Sequence, residues 1–64
     1  MLVLKVTMLE GRTAEQKAEL IRRLTDSAAQ HLGEPADSIR VLIYEMSPQN
    51  WGAGGITIEM RDKR

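Results

Sequence analysis

Two aliphatic runs, Leu2 to Met8 and Ile39 to Met46, are separated by one stretch whose apolar residues recur every four positions. That order leaves few folds open. In the first run Leu2, Leu4, Val6 and Met8 alternate with Val3, Lys5 and Thr7, the period-two pattern of a strand with both faces largely apolar. A strand of that kind belongs in the middle of something. The second run, rich in β-branched and aromatic residues, reads as another strand. Because the chain passes through a helix between them, the two strands are predicted to be parallel, with a right-handed crossover.

The helix has clear ends. Thr13 and Gln16 have the T-x-x-Q form of a capping box, and Glu15 lies in the first turn, where the helix dipole favours negative charge. Leu20, Leu24, Ala28 and Leu32 form the apolar stripe, widened by Ala18, Ile21 and Ala29. Lys17, Glu19, Arg22, Arg23 and Asp26 lie elsewhere on the wheel. The spacing predicts an amphipathic helix of about five turns, stopped at Gly33 and kept from restarting by Pro35. After the second strand, Pro48, Gly52, Gly54 and Gly55 make a loop, and Ile56-Thr57-Ile58 is a short third strand or the arm of a hairpin. The charged tail Glu59 to Arg64 is expected to fray unless a neighbour holds it. Residues 1–64 are therefore read as one α+β domain, a β-α-β unit with a C-terminal hairpin arm.

Size makes this unit dependent on others. A chain of 64 residues buries only about 60% of the surface it exposes when unfolded, and two strands with one helix are not stable alone in water. There is no cysteine for a disulfide, and the single histidine, His31, has no clustered ligand types around it, so no metal is expected. Association with other chains remains. Nine basic and nine acidic residues are mixed along the chain, which argues against nucleic acid and against a polybasic membrane segment. The apolar start Met1 to Val6 is short and interrupted by Lys5, so no signal peptide or membrane span is expected, and a cytoplasmic protein is.

Few residues can carry chemistry. No Ser–His–Asp or Cys–His set can be assembled, and Glu10 and Glu45, near the strand ends, read as solvated or paired. His31 is placed near the helix C-terminus, where a cation is favoured. The run Gly52 to Gly55 lacks both the spacing and the following helix of a phosphate loop. Arg12, just after the first strand, and Arg40, inside the start of the second, stand out. An arginine in an aliphatic strand costs desolvation unless an anion meets it. A salt bridge to Glu45 or to another subunit would suffice; so would a bound carboxylate. Trp51 is the only large aromatic platform, either packing at an interface or walling a site.

Four segments in this order, "LEGRTAEQK", "AELIRRLTDSAAQHLGEP", "SIRVLIYEM" and "NWGAGG", resemble the short subunits of the 4-oxalocrotonate tautomerase family, in the tautomerase superfamily. The resemblance covers about the first fifty-five residues. It implies a tautomerase-like fold in which dimers assemble into a hexamer, and an isomerase that needs no cofactor. In that family an amino-terminal proline, exposed by loss of the initiator methionine, is the general base. It moves a proton from the 2-hydroxyl of a dienol such as 2-hydroxymuconate to a carbon further along, giving the conjugated ketone. Matched residue by residue, Arg12 would hold the distal carboxylate, Arg40 would engage the carboxylate and carbonyl at the reacting end, and Trp51 would wall the site.

The position matching the proline is Leu2. Methionine is expected to be retained before so large a side chain, so the chain would begin with the primary amine of Met1, displaced by about 3.3 Å along a strand. A base must come within hydrogen-bond reach of the proton it moves, and Met1 is a poor substitute. No role transfers to Arg61 or Arg64, because the family's basic C-terminal pattern is not reproduced. The leading reading is the proline-less subunit of a heterohexamer, α3β3, that donates Arg12, Arg40 or Trp51 to sites whose base lies on a companion chain beginning Met-Pro. Its substrate would be a small dicarboxylate dienol from aromatic hydrocarbon catabolism. The alternatives are a catalytically silent homohexameric binding or structural protein and a weak homohexameric tautomerase using the Met1 amine.

Overall fold

The two aliphatic runs pair in the computed structural model, which describes residues 1–62. Strand β1 (Leu2–Leu9) lies parallel to β2 (Ile39–Met46), in a register that sets Leu2 opposite Ile39 and Leu9 opposite Met46. Helix α1 (Ala14–Leu32) makes the crossover and packs against the sheet. A turn of 3₁₀ helix at Ala36–Ser38 feeds β2, and another at Pro48–Asn50 follows it.

The helix begins and ends where its sequence directs. Thr13 is extended at φ −75°, and its Oγ1 accepts from the Gln16 N–H at 3.0 Å. The Gln16 side chain accepts from the Thr13 N–H at 3.0 Å in return, completing the box. Gly33 closes the helix at φ 72°, with its N–H donating to the Ala29 carbonyl. Down the sheet, alternation sorts the side chains. Leu2, Leu4, Val6 and Met8 share the helix-facing side with Ile39, Val41 and Ile43.

The last segment is a hairpin rather than a third strand of the main sheet. Strand β3 (Gly52–Ala53) pairs antiparallel with β4 (Ile56–Thr57). Gly54 and Gly55 both have positive φ, 64° and 85°, as a two-residue type I′ turn requires. Ile58, expected to extend β4, instead opens α2 (Ile58–Asp62), although its N–H still donates to the Trp51 carbonyl at 2.8 Å. The Thr57 hydroxyl accepts from the Met60 N–H at 3.1 Å and starts the helical turn. The expectation of a fraying tail is corrected for residues 59–62, which are helical; Lys63 and Arg64 lie outside the described residues.

What this architecture lacks is an interior. Among the described residues only Ile39, 6% exposed, is a buried apolar side chain. The sheet face away from α1 carries Val3, Leu42 and Tyr44, each more than 40% exposed. The radius of gyration is 15.1 Å, against about 11 Å for a globular chain of this length. Accessible area is 4995 Å², against about 4,100 Å² for a monomer of this mass. A slab only 14 Å thick, covered on one side, is half of a sandwich.

Candidate functional site

An unpaired cation, Arg12, stands where β1 hands over to α1. Glu10 prolongs the ladder, its N–H donating to the Met46 carbonyl at 3.0 Å. Gly11 then turns the chain at φ 126°, where a side chain would strain the backbone although the space beside it is open. Arg12 follows, exposed, and among the described residues nothing forms a hydrogen bond or ion pair with its guanidinium. Two cavities meet at Arg12. One, of about 450 Å³, is lined by Met8, Leu9, Glu10, Gly11, Arg12 and Trp51. The other, of about 230 Å³, is lined by Met8, Arg12, Gln16, Lys17 and Leu20.

Arg12 and the half-buried Trp51 both line the larger cavity. A guanidinium can take a carboxylate through two parallel N–H bonds, and the indole offers a flat apolar side to a conjugated chain. Trp51 is held in place by the arm, through the bond from Ile58 to its carbonyl.

Arg40 lies elsewhere. It stands opposite Val3 in the ladder, and its Nη1 donates to the Asp37 carbonyl at 2.8 Å. That neutral acceptor leaves the cation without a counter-charge among the described residues. Met1, 84% exposed, precedes β1 at the same end of the sheet. From Val3 to Leu9 the strand runs about 20 Å, and Arg12 lies beyond Leu9. The fold thus brings Arg12 to Trp51 at one end and Met1 to Arg40 at the other, and does not bring the two arginines together.

The suggested bridge from Arg40 to Glu45 is not formed. Residues five apart in a strand face opposite ways, and Glu45 instead accepts from Lys17 Nζ at 2.8 Å. Lys17 was not singled out by the sequence. Its partner is 28 residues away, and only the strand register shows that they meet. His31 places Nδ1 2.8 Å from the Ser27 carbonyl in the last turn of α1, a local contact without a catalytic partner. Gly52 to Gly55 form the hairpin and its tip. The strongly shifted carboxyl is on the solvent face of α1: hydrogen bonds from Arg22 and Arg23 hold Glu19 down to about 2, and Arg22 is raised in turn by Glu19.

Fold and site together define a small β-α-β protein with a cationic, aromatic-walled edge. Residues 3–61 match the family model of the tautomerase enzymes, and the chain belongs to that family. It is 46% identical over 54 residues to a probable tautomerase of Ralstonia nicotianae, covering 84% of this chain and 77% of that protein. It is 36% identical over 53 residues to a 2-hydroxymuconate tautomerase of Comamonas testosteroni, covering 83% and 84%. Among solved structures, a heterohexamer 4-oxalocrotonate tautomerase from Chloroflexus aurantiacus superposes with a TM-score of 0.86 at 47% identity, over 92% of this chain and 95% of that one. The family is one of isomerases, and the resemblance to its 4-oxalocrotonate type extends from the four sequence segments to the fold.

Proposed function

We infer that the chain is a subunit of a tautomerase of the 4-oxalocrotonate type, supplying carboxylate-binding arginines and an aromatic wall to sites shared between chains. One observation carries this reading: Arg12 and Arg40 stand at opposite ends of the same strand pair. A small dicarboxylate cannot span them within one chain. A site using both kinds of end joins the Arg12–Trp51 edge of one chain to the amine-bearing edge of another. The open sheet face favours such an assembly, and the heterohexameric relative gives it a precedent.

The chemistry follows from the parts. The substrate is a 2-hydroxymuconate-type dienol. The secondary amine of an amino-terminal proline on a companion chain takes the proton of the 2-hydroxyl and returns it to a carbon further along the conjugated chain. The product is the isomeric 2-oxo acid, with no atom gained or lost. An α-amine, with a reference pKa of about 7.7–8, is largely unprotonated near neutrality once an apolar wall such as Trp51 disfavours its charged form. Arg12 holds the distal carboxylate. Arg40 binds the carboxylate and carbonyl oxygen at the reacting end, where negative charge builds up as the proton leaves. Leu2 stands where the proline would be, so this chain contributes binding and charge stabilisation and its companion contributes the base.

Co-expression with a paralogue beginning Met-Pro tests the assignment. A mixed hexamer is expected, and Arg40→Ala in this chain should lower its kcat/KM about 10- to 100-fold, as loss of a charged hydrogen bond does. An unchanged rate would reduce the chain to scaffolding. Because Met1 and Arg40 share one end of the sheet, a second reading has the Met1 amine as the base of a homo-oligomer. That reading requires the lone chain to be active and to lose activity when its α-amine is blocked by acetylation, which removes its basicity.

A further inference from the structure

One ion pair ties the start of α1 to the end of the sheet. Lys17 Nζ donates to Glu45 Oε1 at 2.8 Å, with the two side chains 29% and 31% exposed. Among the described residues no other side-chain hydrogen bond joins α1 to the sheet.

Its position matters because of what lies beside it. The loop carrying Arg12 has two anchors. At the sheet, Glu10 bonds to Met46, the neighbour of Glu45, and Gly11 sets the turn. At the helix, Thr13 is fixed by its box with Gln16 and accepts through its carbonyl from the Lys17 N–H at 3.1 Å. Neither anchor makes a hydrogen bond or ion pair with the Arg12 guanidinium. Packing does not hold it either, since the 230 Å³ cavity lies between Arg12, Lys17 and Leu20, room for several waters at about 30 Å³ each. Arg12 is therefore aimed by the placement of one anchor relative to the other. Lys17 is one helical turn from Thr13, and Glu45 adjoins Met46, so their bond spans the same gap.

We propose that the Lys17–Glu45 pair is a positioning device for Arg12 and thereby sets the preference of the site for dicarboxylates over monocarboxylates. This rests on Arg12 being the clamp for the distal carboxylate. A ligand without that carboxylate is indifferent to where Arg12 points.

A purely electrostatic role makes the opposite prediction for one of two variants. If the pair only tuned local charge, Lys17→Met would weaken anion binding and Glu45→Gln, by freeing a cation, would strengthen it. If it positions Arg12, both weaken it alike. The measurement is a fluorescence titration of the assembled protein, using Trp51, the single tryptophan of this chain, which lines the cavity on the other side of Arg12. The probes are muconate, a six-carbon dicarboxylate, and sorbate, its monocarboxylate counterpart. Each variant should raise the muconate Kd about fivefold and leave sorbate within about twofold, and the exchanged pair K17E/E45K should recover most of the loss. Should Lys17→Met fail to assemble, Glu45→Gln, which keeps the side-chain shape, carries the test alone. Opposite signs, or equal losses for both probes, overturn the positioning role while leaving the Arg12 clamp standing. No muconate binding by the unmodified assembly, or an unchanged constant in Arg12→Ala, sinks the clamp and the proposal with it.

Discussion

Arg22 and Arg23 both bond to the carboxylate of Glu19, and Arg22 also reaches Asp26 at 3.2 Å. Among the described residues Arg12 has nothing of the kind. The contrast separates an arginine that solvates a helix face from one left ready for an anion, and no sequence pattern distinguishes them, because charge partners i+3 and i+4 along a helix are everywhere available. The Glu19 cluster still has a measurable consequence. Its carboxyl is held at about 2, against an ordinary 4.5, so the folded chain binds fewer protons than the unfolded one between those values. The stabilisation is complete above the upper value and lost as pH falls through the lower one. Urea midpoints should therefore decline across that window, and Glu19→Gln should flatten that part of the curve. Because all three side chains are exposed, added salt should shrink the effect.

At the scale of elements, the strands and helix were legible because each signal is local. Period-two alternation, the T-x-x-Q box and Gly33 each specify a backbone geometry from a few adjacent residues. Thr13→Ala removes the Oγ1 acceptor of the Gln16 N–H and should cost about 1 kcal/mol, read from the urea midpoint. The same change loosens the helix-side anchor of the Arg12 loop. Less legible was the fate of Ile58, which keeps a ladder bond to the Trp51 carbonyl while the Thr57 hydroxyl, by accepting from the Met60 N–H, turns the chain into a helix from that residue on. The Lys17–Glu45 contact was not legible, since it needs the register of two strands and the entry angle of a helix at once. The candidate site was half visible in the same sense. Arg12, Arg40 and Trp51 could be marked by residue type and resemblance, but their division between two ends of the sheet appears only with the pairing of Val3 to Arg40.

For the molecule as a whole, the face bearing Val3, Leu42 and Tyr44 decides the outcome. Exposed β-branched, aliphatic and aromatic side chains on one side of a two-stranded sheet are the kind of surface that meets another protein. Leu42→Glu places a carboxylate on that face while leaving the strand pairing untouched, and should shift the protein to smaller species in size-exclusion chromatography at unchanged concentration. With Ile39 as the one buried apolar residue among those described, the chain has little to collapse around by itself. Its folding reaction is then one of encounter as well as of coil and helix. Refolding from denaturant should quicken as the chain is made more concentrated, because the last steps wait for a second molecule to arrive.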